Sequence, residues 1–119
     1  MPSRQQVSSF IGATFHSVWA LELLCFLRIH RDRALSQAEM VAELRGSDLV
    51  VSESLKSLAA AGLVEWHAGR ARYRPSSPLL DEYAAIAEAA FAASPDAVRR
   101  IIARGALEAA PIPMPVPGG

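Results

Sequence analysis

The chain has 119 residues, just over half of them apolar, and its twelve basic and twelve acidic side chains balance to zero net charge. A chain of this length forms one domain and can bury a core without metal ions or disulfides. The zero balance excludes the overall basic excess of many nucleic-acid binders, although local patches matter more than the sum.

Cys25 is the single cysteine, so it cannot form an internal disulfide, and a reducing cytoplasm is the expected location. It lies in an apolar stretch, which predicts a buried core residue and not a reactive thiol. The N-terminus lacks the basic start and cleavable apolar core of a signal peptide. The strongest apolar run, 18–27, is interrupted by Glu22 and is far shorter than the about 20 residues that cross a membrane, so no membrane contact is expected.

Residues 7–30 are predicted to form one long first helix, because their apolar side chains recur at helical spacing. These side chains surround nearly the whole helix, which is typical of a helix buried on more than one side. In so small a chain we expect the extra face to pack against a second subunit or the C-terminal helices. The candidate dimerisation residues are Phe15, Trp19, Leu23 and Phe26.

A short second helix is predicted to begin at Ser36, because Ser36 and Glu39 have the spacing of a capping box. Gly46 suits the left-handed residue that ends this helix. A third helix then begins at Ser47 or Asp48 and runs to about residue 61. Its predicted buried stripe consists of Val51, Leu55 and Leu58.

Two short strands, 64–66 and 71–74, are predicted to follow Gly62, which stops the third helix. Gly69 supplies the permissive backbone that the turn between the strands needs. The ribbon is therefore a short hairpin placed directly after the third helix.

Two C-terminal helices are predicted to begin at Ser77-Pro78 and Ser94-Pro95, because each pair supplies an N-cap and a proline at the first helical position. Gly105 is expected to close the second of them. From Pro111 to Pro117, proline stands at every second position, which a helix cannot sustain. This composition predicts a stiff or disordered tail.

The run from Ser47 to Val64 resembles the recognition helix and following strand of the winged helix-turn-helix transcriptional regulators, the broad group that includes MarR-like proteins. The matching elements are the small turn before the helix, a Val-x3-Leu-x2-Leu spine that starts at Val51, and Gly62-Leu63-Val64 leading into the ribbon. The resemblance covers residues 35–75. It implies a mainly α fold with a small two-stranded β-wing, in the order helix, helix, helix, ribbon, helix, helix.

One winged-helix domain is expected over residues 1–106. Within it, the helix-turn-helix would occupy about 36–61, the wing about 63–75 and the C-terminal helices about 78–104. The long first helix and the C-terminal helices are compatible with the dimerisation elements of that group. Residues 107–119 would form a Pro-rich flexible tail.

The resemblance implies a bacterial-type transcription regulator that binds double-stranded DNA as a homodimer. Ser52, Lys56 and Ser57 would then probe the major groove, because they are outward residues of the types that contact base edges.

The predicted wing carries arginine at every second position, which places the three guanidinium groups on one face of a strand. Such a row could hold backbone phosphates or reach into a minor groove. A solvated edge strand that is protected by its charge is the open alternative. The three wing residues are Arg70, Arg72 and Arg74.

A second function stays open because the outward face of the third helix also carries Leu49, Val50 and Glu53. Apolar and acidic side chains are poor neighbours for phosphates. They favour a protein-interaction module that binds a sigma factor, polymerase or another regulator without specific DNA binding.

No catalytic or cofactor site is expected. The three histidines lack cysteine or carboxylate neighbours at metal-ligand spacing. The chain also lacks a glycine-rich phosphate loop and a nucleophile elbow. We therefore expect no cofactor and no enzymatic activity.

Overall fold

The computed structural model describes residues 3–109, and this range is mainly helical with a small antiparallel sheet. Its elements are α1 (Arg4–Thr14), α2 (Val18–Ile29), β1 (Leu35–Ser36), α3 (Gln37–Leu44), α4 (Asp48–Ala60), β2 (Val64–His67), β3 (Arg70–Tyr73), α5 (Pro78–Ala93) and α6 (Pro95–Ala109). Of the tail predicted at 107–119, residues 107–109 belong to α6, and 110–119 lie outside the described residues.

The prediction of one long first helix is wrong, because two helices, α1 and α2, replace it with a bend of 105° between them. At Phe15 the backbone is extended (φ −101°, ψ 110°), and this residue ends α1 while its ring is completely buried. Ser17 then begins α2 by accepting a hydrogen bond from the backbone N–H of Ala20. The ring of Phe15 is buried at the bend, and the Ser17 side chain satisfies one of the free N–H groups at the start of the new helix.

The sheet has three strands in the order β1-β3-β2, and not the two that the sequence predicts. The additional strand pairs Leu35 with Ala71 and Ser36 with Arg70. Its two residues are too few to produce an alternating pattern in the sequence. Ser36 also caps α3 with the predicted capping box, so a single serine ends a strand and begins a helix.

The turn between α3 and α4 differs from the prediction at one residue. Arg45, and not Gly46, adopts the left-handed conformation (φ 54°, ψ 31°) that ends α3. Ser47 caps α4 as one of the two predicted candidates, accepting from the backbone N–H of Val50 at 3.2 Å. A left-handed arginine costs about 1–2 kcal/mol, so the packing of the two helices must fix this turn.

Helix α4 follows the prediction at its core and at its end. Val51, Leu55 and Leu58 are completely buried. Gly62 stops the helix at φ 77°, where its N–H donates to the carbonyl of Ala59 and the next N–H donates to the carbonyl of Leu58. These two bonds form a Schellman motif, which requires the left-handed backbone that glycine adopts most readily.

The first and last helices pack most closely where two glycines meet. Gly105 does not end α6, which continues to Ala109. An ideal Cβ built on Gly105 would lie 2.3 Å from the carbonyl oxygen of Gly12 and 2.7 Å from its Cα. Glycine at position 105 is therefore a packing residue that lets two backbones approach, and this corrects its predicted role.

The hydrophobic core of the single chain already contains part of the predicted dimer contact. Phe15 and Leu23 are completely buried within it. These two residues are therefore core residues that a second subunit cannot reach. Phe26 is half-buried beside the core and packs edge-to-face on His30, whereas Trp19 keeps 39% of its surface exposed.

A polar network joins α2, β3 and α5. Arg28, with 9% of its side chain exposed, forms an ion pair with Glu88, and its guanidinium lies 5.3 Å from the centre of the Tyr73 ring. The Tyr73 hydroxyl donates to the Asp81 carboxylate at 2.7 Å. Burial, followed by this hydrogen bond, raises the pKa of Tyr73 to about 12. The network therefore fixes the hairpin against the C-terminal helices with an uncharged phenol.

Candidate nucleic-acid interface

The arginines of the predicted wing lie on the exposed face of the sheet. Along β3, Arg70 and Arg72 are exposed, whereas Ala71 and Tyr73 are buried. Arg74 follows the strand directly, is also exposed, and forms an ion pair of 3.1 Å with Glu65. The row predicted from alternation is present, but its last charge is partly neutralised.

Strand β3 is central in the sheet at Arg70 and Ala71, because β1 and β2 pair with it from opposite sides. Protection of an edge strand therefore does not explain the arginine at position 70. Within residues 3–109, neither Arg70 nor Arg72 forms an ion pair. Two guanidinium groups are thus free to meet anionic groups from outside the chain.

Gln37 connects this hairpin to α4, although sequence reasoning did not select it. Its backbone N–H donates to the carbonyl of Gly69 in the hairpin turn at 3.2 Å. Its side-chain amide donates to the hydroxyl of Ser52 at 3.2 Å and to the carbonyl of Asp48 at 3.3 Å. Gln37 therefore links the hairpin turn, the start of α3 and α4 through hydrogen bonds.

The three α4 residues predicted to contact the major groove differ in whether their polar groups already bind other residues of the chain. Ser52 accepts from Gln37 and keeps its own hydroxyl proton to donate. Lys56 is exposed and lies 3.6 Å from Glu53, an exposed pair that contributes little to stability. Ser57 is half-buried and donates to the carbonyl of Thr14 at 3.3 Å. Its proton is used in the contact between α1 and α4, which corrects its predicted place on the free outward face.

A groove of about 710 Å³ lies between α4 and the junction of α1 and α2. We call it the α2–α4 groove. Leu49, with 68% of its surface exposed, and Trp19, with 39% exposed, give it an apolar lining. Its other described lining residues include His16, Val50, Glu53 and Lys56. The residues of the predicted protein-contact face therefore line this groove, together with the indole of Trp19, which the sequence predicts at a dimer contact.

Among residues 3–109, no three His, Cys, Asp or Glu side chains form a group that could hold a metal ion. No single helix there is long and apolar enough to cross a membrane; α1 and α2 reach that length and apolar content only together, with a bend of 105° between them.

Comparisons of the chain with protein-family models, with curated proteins and with solved structures gave no match. The functional proposal therefore depends on the geometry of the hairpin, of α4 and of the groove.

Proposed function

We propose that this protein is a cytoplasmic transcription regulator that binds double-stranded DNA through a winged helix-turn-helix. Helices α3 and α4 with the turn between them form the helix-turn-helix, and the β2–β3 hairpin forms the wing. The resemblance of residues 35–75 to winged-helix regulators supports this assignment. The position of the basic β2–β3 hairpin, directly beside the exposed side of α4, also supports this assignment.

The observation that carries the proposal is the bridge made by Gln37. This residue bonds to the wing turn and to Ser52 of α4. A duplex that places α4 in its major groove would then meet Gln37, Ser52 and Lys56 at base edges. The same duplex would meet Arg70 and Arg72 at its phosphates, where guanidinium groups bind without reading sequence.

We also propose that the protein acts as a homodimer, because helix-turn-helix proteins commonly bind two half-sites about one helical turn apart. The dimer contact would use surface that the single chain leaves exposed, and not the buried Phe15 and Leu23. Sedimentation at micromolar concentration tests this, and a monomer at that concentration would contradict it.

The test of DNA binding uses matched pairs of arginines. Arg70→Ala/Arg72→Ala removes two wing charges, and Arg99→Ala/Arg100→Ala removes two exposed charges from α6 as the control. Each lost phosphate contact lowers the slope of log K against log salt by about 0.9, so the wing variant should lose a slope of about 2. We expect the control to keep the slope of the unchanged chain. Equal slopes for both variants would refute the wing assignment.

Glu53→Arg gives the converse test on α4. This change removes an acid from the proposed groove-facing side and adds a positive charge beside Lys56. It should raise affinity for DNA of any sequence, since phosphate contacts carry no sequence information. Unchanged retention on low-salt DNA would mean that α4 does not face the duplex.

A second candidate function is favoured by the exposed Leu49 and Trp19 in the α2–α4 groove. An apolar surface of this kind fits a protein partner in the transcription machinery, such as a sigma factor or polymerase. Leu49→Ser should then abolish retention of that partner at all salt concentrations, while DNA retention stays unchanged. Loss of DNA retention alone would favour the first function.

A further inference from the structure

We propose that a groove between α1 and α6 binds the phosphate group of a soluble organic phosphate monoester. This groove, which we call the α1–α6 groove, has a volume of about 740 Å³ and lies where the two helices contact at Gly12 and Gly105. Its volume falls within the roughly 300–1,000 Å³ of small-molecule sites. Its described lining comes from α1 and α6, and not from α4 or the hairpin, so the site is distinct from the proposed DNA interface.

One wall of the groove carries two arginines of α6, Arg100 and Arg104. They are four residues apart, so they lie on the same face of the helix, one turn from each other. Both side chains are exposed, and neither forms an ion pair within the described part of the chain. The described lining also contains no carboxylate. The wall therefore presents two guanidinium groups, whose paired N–H donors suit phosphate oxygens.

The acidic residues of α6 leave these two charges available to a ligand. Asp96 pairs with Arg99 at 3.3 Å. Glu108 follows Arg104 by four residues in the sequence, and an exposed helical pair at that spacing contributes little. Two guanidinium charges match a phosphate monoester, which carries nearly two negative charges at neutral pH, better than they match a carboxylate with one.

The opposite wall supplies neutral hydrogen-bond donors from α1. Ser8 and Ser9 line the groove, and neither hydroxyl has a hydrogen-bond partner among the described residues. A serine hydroxyl can donate its proton to a phosphate oxygen. A phosphate group between the walls would therefore receive charged hydrogen bonds from α6 and neutral ones from α1.

The rest of the described lining is small or apolar and favours a ligand that is more than a phosphate ion. The close contact of the two helices holds the walls at one separation, because even a Cβ on Gly105 would collide with the backbone of Gly12. A ligand with an apolar group beside its phosphate would cover the residues between the walls and gain from their burial. These residues are Gly12, Ala13, Ala97, Ile101 and Gly105.

The same dianion also occurs in the headgroup of a lipid such as phosphatidate. A membrane-binding helix inserts large apolar side chains into the interface beside its basic residues. The large apolar side chains that the described range leaves exposed lie on α2, α4 and α5, and not on α1 or α6. The surroundings of the groove therefore favour a soluble phosphate monoester.

The experiment titrates the full-length protein with phenyl phosphate, inorganic phosphate and benzoate and follows the amide shifts by NMR. A salt concentration of about 0.15 M screens long-range attraction between charges. The shifts caused by phenyl phosphate should centre on Ser8, Ser9, Arg100 and Arg104. Shifts spread evenly over the exposed arginines of the chain would overturn the proposal.

The three probes separate the contribution of charge from that of the apolar lining. If the phenyl ring covers about 30–60 Å² of that lining, phenyl phosphate should bind roughly 4- to 12-fold more tightly than inorganic phosphate. Benzoate has the same ring with a single charge, so it should bind more weakly than phenyl phosphate. Equal binding of benzoate and phenyl phosphate would overturn the assignment of a phosphate site.

Two variants with the same loss of charge test the arginine wall. Arg100→Gln/Arg104→Gln should weaken the binding of phenyl phosphate roughly 5- to 30-fold, since it removes two charged contacts. Arg31→Gln/Arg99→Gln removes two exposed arginines outside the groove and should leave the affinity unchanged. Equal affinities of these two variants would overturn the proposal.

A third variant distinguishes a site with two walls from a patch of positive charge. Ser8→Ala/Ser9→Ala keeps every charge and should weaken the binding of phenyl phosphate roughly 3- to 10-fold, because it removes two hydroxyl donors. An unchanged affinity would mean that the arginines attract anions without the opposite wall, and would overturn the site as described.

Two further measurements exclude other sources of phosphate. We expect the protein to remain in solution when vesicles of phosphatidylcholine and phosphatidate are sedimented. Sedimentation that Arg100→Gln/Arg104→Gln abolishes would assign the groove to a lipid surface and overturn the proposal. We also expect this variant to keep the salt dependence of DNA binding, whereas a lower slope would place the groove in the DNA interface and overturn it. The titrations with phenyl phosphate need no DNA, so their failure is separate from failure of the proposed function.

Discussion

The contact between α1 and α6 yields a prediction in which two similar substitutions have opposite effects. A Cβ on Gly12 would lie 3.7 Å from the Cα of Gly105 and 3.7 Å from the carbonyl oxygen of Ile101, which are ordinary contacts. A Cβ on Gly105 would lie 2.3 Å from the carbonyl oxygen of Gly12. Both positions lie inside helices, so both alanines gain about 0.5–1 kcal/mol of helix propensity.

The steric effect decides the sign at Gly105. The atoms that its Cβ would meet belong to backbone, which cannot rotate aside, so the helices must separate by about 1 Å to restore a contact near 3.4 Å. Overpacking of this kind costs about 1–3 kcal/mol. We therefore expect Gly12→Ala to stabilise the protein by up to about 1 kcal/mol. Gly105→Ala should destabilise it by about 1–2 kcal/mol after the propensity gain is subtracted.

Thermal unfolding followed by circular dichroism measures the difference. For a chain of this size, 1 kcal/mol corresponds to about 4 °C, so the two variants should melt roughly 8–12 °C apart. Urea unfolding at one temperature gives the free energies directly. If Gly105→Ala proves as stable as Gly12→Ala, the two helices do not pack through a close backbone contact at these glycines.

Three further predictions concern single residues. Gly62→Ala and Gly69→Ala both create a left-handed alanine at about +76°, at a cost of about 1–2 kcal/mol. At Gly62 the new Cβ also meets a serine hydroxyl at 2.6 Å, so urea unfolding should show the larger loss there. Burial raises the pKa of Cys25 to about 11, so the folded protein should react with Ellman's reagent far more slowly than the unfolded chain. Reaction at the unfolded rate would contradict that burial. The hydrogen bond from Arg33, followed by the backbone N–H of the N-cap, lowers the pKa of Glu39 from 4.5 to about 2. This stabilising contribution is present above the unfolded pKa and is lost as pH falls toward about 2, so Arg33→Ala should reduce the pH dependence of unfolding in that window.

The elements that the sequence predicts correctly are those whose signals are local. The capping box at Ser36, the buried stripe of α4 and the stop at Gly62 each depend on residues a few positions apart. The bend after α1 escapes such reasoning, because apolar residues continue at helical spacing through it. At the bend Phe15 is completely buried in a core that residues from distant elements share, and helical periodicity carries no information on that burial.

In the candidate site, too, features with a local sequence pattern are predicted correctly and features that depend on distant residues are not. Alternation along β3 is a local pattern, and it correctly places Arg70 and Arg72 on one exposed face of the strand. The role of Gln37 depends on partners at Ser52 and Gly69, and the bond of Ser57 depends on a carbonyl in another helix. Pairings between distant segments carry no local pattern, so sequence reasoning missed the first and misplaced the second.

The two proposed functions would use opposite sides of α4. Successive helical residues are rotated by about 100°, so Ser52 on the wing side and Val50 on the groove side lie about 160° apart around the helix. Lys56 and Leu49 lie between them and also line the groove. DNA held by the wing and a protein partner held in the groove would therefore approach α4 from opposite sides and meet near Lys56.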